Sequence, residues 1–314
     1  MKKVLLTGYS GFIGKHLVSK LKDTYLLTGL GRTPSLDLEY VKTEISASTY
    51  YEQVLNGIDV VIHAAARVQV MGDNAIDSLS EFRGINRDGT LNLAKQAAKA
   101  GVKRFIFIST IKVNGESTSN KEAFTAKDAP LPQDSYGVSK AEAEKELLAL
   151  GQQGEMEVVI IRPPLVYGAG VKANFSALMK LVKKGIPLPF HLIKYNQRSL
   201  VSVYNLVDLI GVCITHPKAA NKIFLVSDDH DLSTAEMVVL MAKVQSKRNI
   251  ALPIPNWCFK VVGNILNKND VIERLTGSLQ LNITDTKNTL NWQPPYSIEY
   301  GFLQAAKSIS MDKT

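Results

Sequence analysis

The chain has 314 residues, 45% of them hydrophobic and 21% charged, proportions of a soluble globular protein with one large domain or two that share an interface. No stretch approaches the roughly 20 apolar residues of a membrane-spanning helix, and the direct entry into a strand and glycine loop leaves no room for a signal peptide. Thirty-seven Lys and Arg against 29 Asp and Glu give +8, but the basic residues look scattered rather than clustered with aromatics. They read as solvated surface that attracts an anionic small substrate, so neither nucleic acid nor a membrane is an expected partner.

In chain order, Val4–Leu6 reads as a buried strand, Gly8, Gly11 and Gly14 as a tight loop, and Gly14–Leu21 as a helix. Leu26–Leu30 is a second strand. Asp59-Val60-Val61-Ile62 is a continuous apolar run ending in His63-Ala64-Ala65-Ala66. Leu91–Ala100 is a helix stopped by Gly101. Arg104–Ile108 is a strand with Ser109 and Thr110 at its carboxyl end. Ser139–Leu150 is rich in Ala, Glu and Lys and reads as a helix, and Val158–Ile161 is a strand stopped by Arg162-Pro163-Pro164. The alternation predicts an α/β fold: a Rossmann doubly wound parallel sheet. The rhythm changes after Pro164. Residues 168–197 read as an inserted substrate-binding segment, Leu200–Leu209 as a strand feeding a helix, and Ile223–Ser227 as a last sheet strand. The expected division is a nucleotide-binding domain over 1–168, rejoined by 200–228, and a smaller, mostly helical C-terminal substrate domain over 169–314, with Trp257 and Trp292 in the helical remainder. Cys213 and Cys258 sit among apolar residues and read as buried thiols of a cytoplasmic protein. No Cys/His spacing resembles a metal site, so none is expected.

Ligands of open parallel sheets bind beyond the carboxyl ends of the strands. Four segments follow strands at that edge: the glycine loop, Ala64–Ala66, Ser109-Thr110 and Pro163-Pro164. The loop Gly8-Tyr9-Ser10-Gly11-Phe12-Ile13-Gly14 can cradle a pyrophosphate against a helix N-terminus. Tyr136 and Lys140 lie one helical turn apart on one face. A free phenol, with a pKa of about 10, exchanges protons poorly near neutrality; the charge of Lys140, joined by an oxidised nicotinamide, should lower it. Thr110, favoured over Ser109, is placed to bond a substrate oxygen, and Asn86 to hold the neighbouring backbone. His63 reads as a structural histidine at a strand end with no evident partner. Together these residues point to nicotinamide-dependent redox chemistry at a carbon–oxygen bond.

Thr7-Gly8-x-x-Gly11-x-x-Gly14 with Tyr136-x-x-x-Lys140 resembles the extended short-chain dehydrogenase/reductase family, the nucleotide-sugar epimerases, dehydratases and reductases. Val61-Ile62-His63-Ala64-Ala65 resembles that family's fourth-strand signature. Ser109-Thr110 followed by Val113-Asn114-Gly115 resembles its Ser/Thr-x-x-Val-Tyr-Gly run, with Asn114 in place of tyrosine. Arg162-Pro163-Pro164-Leu165-Val166-Tyr167-Gly168 is similar to the segment that contacts nicotinamide, and Asn291-Trp292-Gln293-Pro294 to the closing motif. The resemblance implies catalysis by Thr110, Tyr136 and Lys140. It implies a cofactor site from the glycine loop, Arg32, Ile45, Ala64, Ala65, Ala66, Asn86, Ser109, Tyr136, Lys140 and Pro163. It also implies a UDP-sugar held by Thr110, Asn174 and Arg198, and a homodimer built on helices such as Leu91–Ala100 and Ser139–Leu150.

The dehydratase branch carries two acidic residues after Ser-Thr where this chain has Ile111 and Lys112, so dehydration is not expected. Ile111–Glu116, Pro163–Gly168 and Val171–Phe175 are similar to bacterial UDP-4-keto-6-deoxy-N-acetylhexosamine 4-reductases of surface-polysaccharide synthesis. That reading is placed first, with a UDP-hexose 4-epimerase as the alternative and a non-catalytic NADP-sensing regulator as a remote third. The second strand ends Gly29-Leu30-Gly31-Arg32 with no carboxylate for a ribose hydroxyl and a guanidinium for a 2′-phosphate, which suggests NADP, with NAD possible.

Overall fold

The computed structural model describes residues 1–35, 37–68, 78–154, 156–265 and 269–311. Its central element is a parallel sheet of β1 (Lys3–Thr7), β2 (Leu26–Gly31), β3 (Glu39–Lys42), β4 (Val60–His63), β5 (Arg104–Ile108) and β6 (Glu157–Arg162), joined by a strand from much later in the chain, Lys222–Leu225. Two short strands between them in sequence, β7 (Leu165–Tyr167) and β8 (Leu200–Ser202), pair in parallel as a separate sheet, so the late strand is β9. The order in the main sheet is β3-β2-β1-β4-β5-β6-β9. The chain winds outward from β1 to β3, then crosses back to β4, so the crevice between β1 and β4 is a topological switch point.

Continuous apolar strands are what a sheet covered on both faces requires. Val4, Leu6, Val60, Ile62, Ile106, Ile108, Val159 and Ile161 point to one core, shared with helices Phe12–Leu21 and Val203–Thr215. Their alternates Leu5, Val61, Phe105, Phe107, Val158 and Ile160 point to the other, shared with helices Thr90–Lys99 and Ser135–Gln152. A third core gathers Tyr167, Phe175 and Phe302, whose ring centroids lie 4.8–5.3 Å apart.

Three local expectations change. The helix expected from Ser139 begins at Ser135, because Asp134 caps it by accepting from the Gly137 N–H at 2.7 Å; this brings Tyr136 onto the helix. Strands β3 and β7 were not foreseen: β3 is a mostly exposed edge of four residues and β7 only three residues long, too short for a periodic pattern to register. Trp292, assigned to a separate helical remainder, is 5% exposed and packs with Leu279, Leu281 and Leu290 into the first core of the main sheet. Its indole N–H donates to Asp208 at 3.0 Å.

Cys213 is buried, and burial pushes its thiol up to about 12. Cys258, expected to be buried, is only partly so. Among the described residues no helix is long and apolar enough to cross a membrane, and no group of three or more His, Cys, Asp and Glu could hold a metal ion.

Candidate active site

The glycine loop closes on itself through the Gly11 N–H, which donates to the Gly8 carbonyl at 2.9 Å. A Cβ on Gly14 would lie 2.1 Å from the Gly8 oxygen, and one on Gly8 2.7 Å from the Ala65 nitrogen. Gly8 also holds a φ of +69°. No side chain caps helix Phe12–Leu21, so its first N–H groups stay available to an anion beside the crevice. Main chain this bare, at a helix N-terminus and the switch point, fits the pyrophosphate of a dinucleotide. Gly8→Ala is expected to cost about 1–3 kcal/mol through its positive φ and to weaken dinucleotide binding, checked by denaturation and by titration with NAD.

Within the loop, Ser10 is exposed while Phe12 and Ile13 are half-buried. Tyr9 turns inward: its ring lies where a Cβ on Gly29 would meet it at 2.7 Å, and its hydroxyl donates to the Thr33 carbonyl. Tyr9 therefore braces the end of β2 with its side chain, and the two glycines of β2 make room for the ring. Arg32, which follows, is exposed. Ile45 sits against Gly89, where an added Cβ would come within 2.9 Å.

Thr7 and His63, paired in register at the ends of β1 and β4, join through the Thr7 hydroxyl and His63 Nδ1 at 2.8 Å; His63 Nε2 reaches the Thr90 hydroxyl at 2.9 Å. The Ala65 N–H donates to the Thr7 hydroxyl at 3.1 Å, which holds Ala64–Ala66 over the loop. Burial and the charge of Lys140 push the His63 imidazole down to about 3, so it is a neutral strut. Its partner Thr90 lies 27 residues away, beyond the reach of a local motif.

Asn86 is buried and bridges two segments. It accepts from the Arg67 N–H at 2.9 Å and donates to the Arg67 carbonyl at 3.0 Å and to the Ser139 hydroxyl at 3.1 Å. Ser139 in turn donates to the Tyr136 carbonyl at 2.8 Å. The chain after β4 is thereby tied to the helix that carries Tyr136 and Lys140.

At the end of β5 the two neighbouring hydroxyls part. Ser109 is 3% exposed and donates inward to Glu144. Thr110, half-buried, caps the short turn Ile111–Val113 by accepting from the Lys112 N–H at 3.3 Å. Of the pair, Thr110 is the less buried hydroxyl. Pro163 is buried, and its carbonyl accepts from the Ile111 N–H at 2.9 Å, which fixes that turn against the end of β6.

Lys140 is 1% exposed; its ammonium donates to the Ile108 carbonyl at 2.9 Å and sits 4.2 Å from the centre of the Phe107 ring. Desolvation pulls it down to about 7, against a smaller opposing pull from Glu144. The phenol of Tyr136 moves opposite to expectation. Burial, with Asp134 adding to it, raises it above the ordinary tyrosine value, because in the chain alone desolvation outweighs any help from Lys140. Between about pH 7 and the ordinary lysine range the unfolded chain holds a proton that folded Lys140 has released. Stability should therefore rise with pH across that window. Lys140→Met is expected to flatten the rise in denaturation midpoints measured against pH; an unchanged slope would contradict the burial argument.

Behind these groups lies a buried charged cluster that was not anticipated. Arg162, 2% exposed, donates through Nε to both Glu144 oxygens at 3.1 Å and through Nη1 to Asn114 Oδ1 at 2.8 Å. Asn114 Nδ2 donates to the Thr125 carbonyl at 2.8 Å. The asparagine that departs from the family pattern is thus the neutral partner of a buried arginine.

The substrate candidates are less gathered. Arg198 is half-buried, with Nη1 donating to the Gly277 carbonyl at 3.2 Å, and burial and the nearby Arg274 charge hold its guanidinium below the usual value. Arg274 also lies 4.0 Å from Glu116, at the far end of the Thr110 turn. Asn174 is exposed on the first turn of helix Ala173–Lys183, and no hydrogen bond among the described residues fixes it. Lys112 pairs with Asp134 and, at 3.2 Å, with Glu116, so the position that holds an acid in dehydratases carries a neutralised cation.

Residues 4–227 match the NAD dependent epimerase/dehydratase family. The chain is 52% identical to a UDP-glucose 4-epimerase of Vibrio cholerae over 98% of its own length and 95% of that protein's. It is 24% identical to an N-acetyl-alpha-D-glucosaminyl-diphospho-ditrans,octacis-undecaprenol 4-epimerase of Escherichia coli O157:H7, over 95% and 92%. Its fold matches a UDP-glucuronic acid 4-epimerase from Bacillus cereus, solved in complex with NAD, with a TM-score of 0.79 at 20% identity over 99% and 100% of the two chains. The chain belongs to the NAD-dependent epimerase/dehydratase family, of the extended short-chain dehydrogenase/reductase type.

Proposed function

We propose that the chain is a UDP-hexose 4-epimerase. The observation that carries this reading is the 52% identity along nearly the whole of both chains with an enzyme of that name. The 4-ketoreductase placed first on motif resemblance yields to it, because the shared motifs belong to both branches while the end-to-end identity favours the epimerase. Bound nicotinamide would supply the acceptor and donor of a hydride at the sugar C4. In this reading Tyr136 Oη takes the proton of the C4 hydroxyl and returns it once the sugar has turned over. The charge of Lys140 favours the phenolate when the phenol must give up its own proton. Thr110 bonds the C4 oxygen, Arg198 and Asn174 hold the UDP, and Gly8, Gly11 and Gly14 hold the dinucleotide. Residues 1–168 with 200–228 would be the nucleotide-binding part and 169–314 the sugar-nucleotide part.

The test is incubation with UDP-glucose or UDP-N-acetylglucosamine and trace NAD, with products resolved by chromatography. Interconversion of C4 epimers without net loss of reduced cofactor is expected. Stoichiometric NADPH oxidation by a UDP-4-keto-6-deoxy-N-acetylhexosamine would restore the reductase, and dinucleotide binding without turnover of either substrate would point to a regulator. Family and NAD-bound relatives support NAD, whereas exposed Arg32 favours NADP. Titration with both decides; an Arg32→Ala variant with unchanged NADP affinity would remove the 2′-phosphate role. A homodimer through the outer faces of helices Thr90–Lys99 and Ser135–Gln152 completes the proposal, tested by light scattering.

A further inference from the structure

The charge that looks dispersed along the sequence is divided in the fold. Between Glu157 and Asp208 the chain has no acidic residue, and between Glu236 and Asp270 again none. These two runs hold 12 of the 37 Lys and Arg and none of the 29 acids, leaving 25 bases against 29 acids elsewhere. The structure lays the runs side by side: the Leu188 N–H donates to the Ile250 carbonyl at 2.9 Å, and the Leu252 N–H to the Leu188 carbonyl at 2.8 Å. The joined segments expose Lys184, Lys194, Lys247 and Arg248.

Large apolar side chains stand exposed in the same place. Ile186 is 41% exposed, Ile250 45% and Leu252 44%. Helix Asn256–Ile265 is held to this region by its buried Phe259, whose ring stacks on Phe190 at 6.1 Å. On its outer side it presents Trp257, Val261 and Ile265, exposed by 66%, 47% and 76%. Their spacing of four residues makes one stripe along the helix. An apolar stripe with an exposed tryptophan, set in a run of the chain that holds cations and no acid, is the pattern of a helix lying in a membrane interface. The helix packed beside it, Asn269–Thr276, adds Glu273 along with Arg274. Free nucleotide would use the cations but not the stripe, and a second copy of this basic face would meet it with like charge.

We propose that this basic, apolar face docks on the surface of an anionic phospholipid bilayer, with helix Asn256–Ile265 parallel to the membrane and Trp257 in the headgroup layer. The next helix, Asn269–Thr276, carries Arg274, which neighbours Arg198, so docking would set the mouth of the sugar-nucleotide crevice beside the membrane. The proposal does not depend on which C4 reaction the site performs.

The experiment is co-sedimentation of the full chain with vesicles of phosphatidylethanolamine and phosphatidylglycerol, and with vesicles of pure phosphatidylcholine, at low and high salt. Tryptophan emission is recorded in parallel. Trp292 is buried, so a blue shift on binding reports on Trp257. Binding is expected to the anionic vesicles, with a blue shift, and to weaken at high salt. Lys247→Gln and Arg248→Gln should each weaken it roughly 5-fold. Ile265→Asp should weaken it at least tenfold and abolish the blue shift, with turnover of the soluble substrate unchanged. No binding to anionic vesicles, binding indifferent to these substitutions, or equal binding to phosphatidylcholine would overturn the proposal. So would a dimer that Ile265→Asp splits in the absence of vesicle binding, which would give this face to a second copy of the chain.

Discussion

Tyr136→Phe is expected to leave the fold and dinucleotide binding intact and to lower turnover by roughly 10²- to 10⁴-fold, the range of a positioned general acid or base. The substitution removes one oxygen. The ring keeps its edge contact with Phe82, with centroids 6.1 Å apart, and the Ser139 bond to the Tyr136 carbonyl does not involve the side chain. The loss should therefore fall on kcat, with little change in KM or melting temperature. The raised phenol of the chain alone makes the effect more specific, since a protonated tyrosine must first lose its own proton, as neighbouring positive charge favours, before it can accept one from a substrate. Near-normal turnover in the variant would remove Tyr136 from the chemistry.

Glu144→Ala is expected to cost about 3–5 kcal/mol, because it strands the guanidinium of Arg162 in the interior. Arg162 and Glu144 are both about 2% exposed, and Asn114 alone cannot neutralise a buried cation. Replacing both charged residues with methionine should recover most of the loss, since a buried ion pair is often no more stabilising than well-packed apolar groups. Denaturant titration of the two variants separates the cases. A Glu144→Ala protein within about 1 kcal/mol of the wild type would show that water reaches the site and that the pair is not isolated. The cluster ties Ser109, Asn114 and Arg162 to the helix of Tyr136 and Lys140, so the single variant should also loosen the active-site edge.

The main sheet was legible because its strands are buried on both faces, and a strand in that position is a continuous apolar run. Arg104–Ile108 is the clearest case: its expected and observed bounds coincide. The glycine loop was legible for a related reason, since only glycine tolerates a Cβ position 2.1 Å from a carbonyl oxygen. What stayed hidden depends on partners distant in sequence. His63 finds Thr90, Arg162 finds Asn114 across 48 residues, and Tyr167 finds Asp228 at 2.6 Å across 61. The upward shift of the Tyr136 phenol in the chain alone was not legible, because a one-turn spacing says nothing of desolvation, which the whole surrounding fold decides.

The packing of Leu279, Leu281, Leu290 and Trp292 into the first core, next to helix Val203–Thr215, has a consequence for synthesis. At ribosomal rates of roughly 5–20 residues per second, β1 waits about 15 to 60 s for the last side chains of its core. Throughout that interval one core of the nascent sheet is incomplete, covered by helices Phe12–Leu21 and Val203–Thr215 as they emerge but not by its last residues. A chain released early, after the β9 strand but before Trp292, would leave the ribosome with most of its backbone pairing available and its core still open to aggregation.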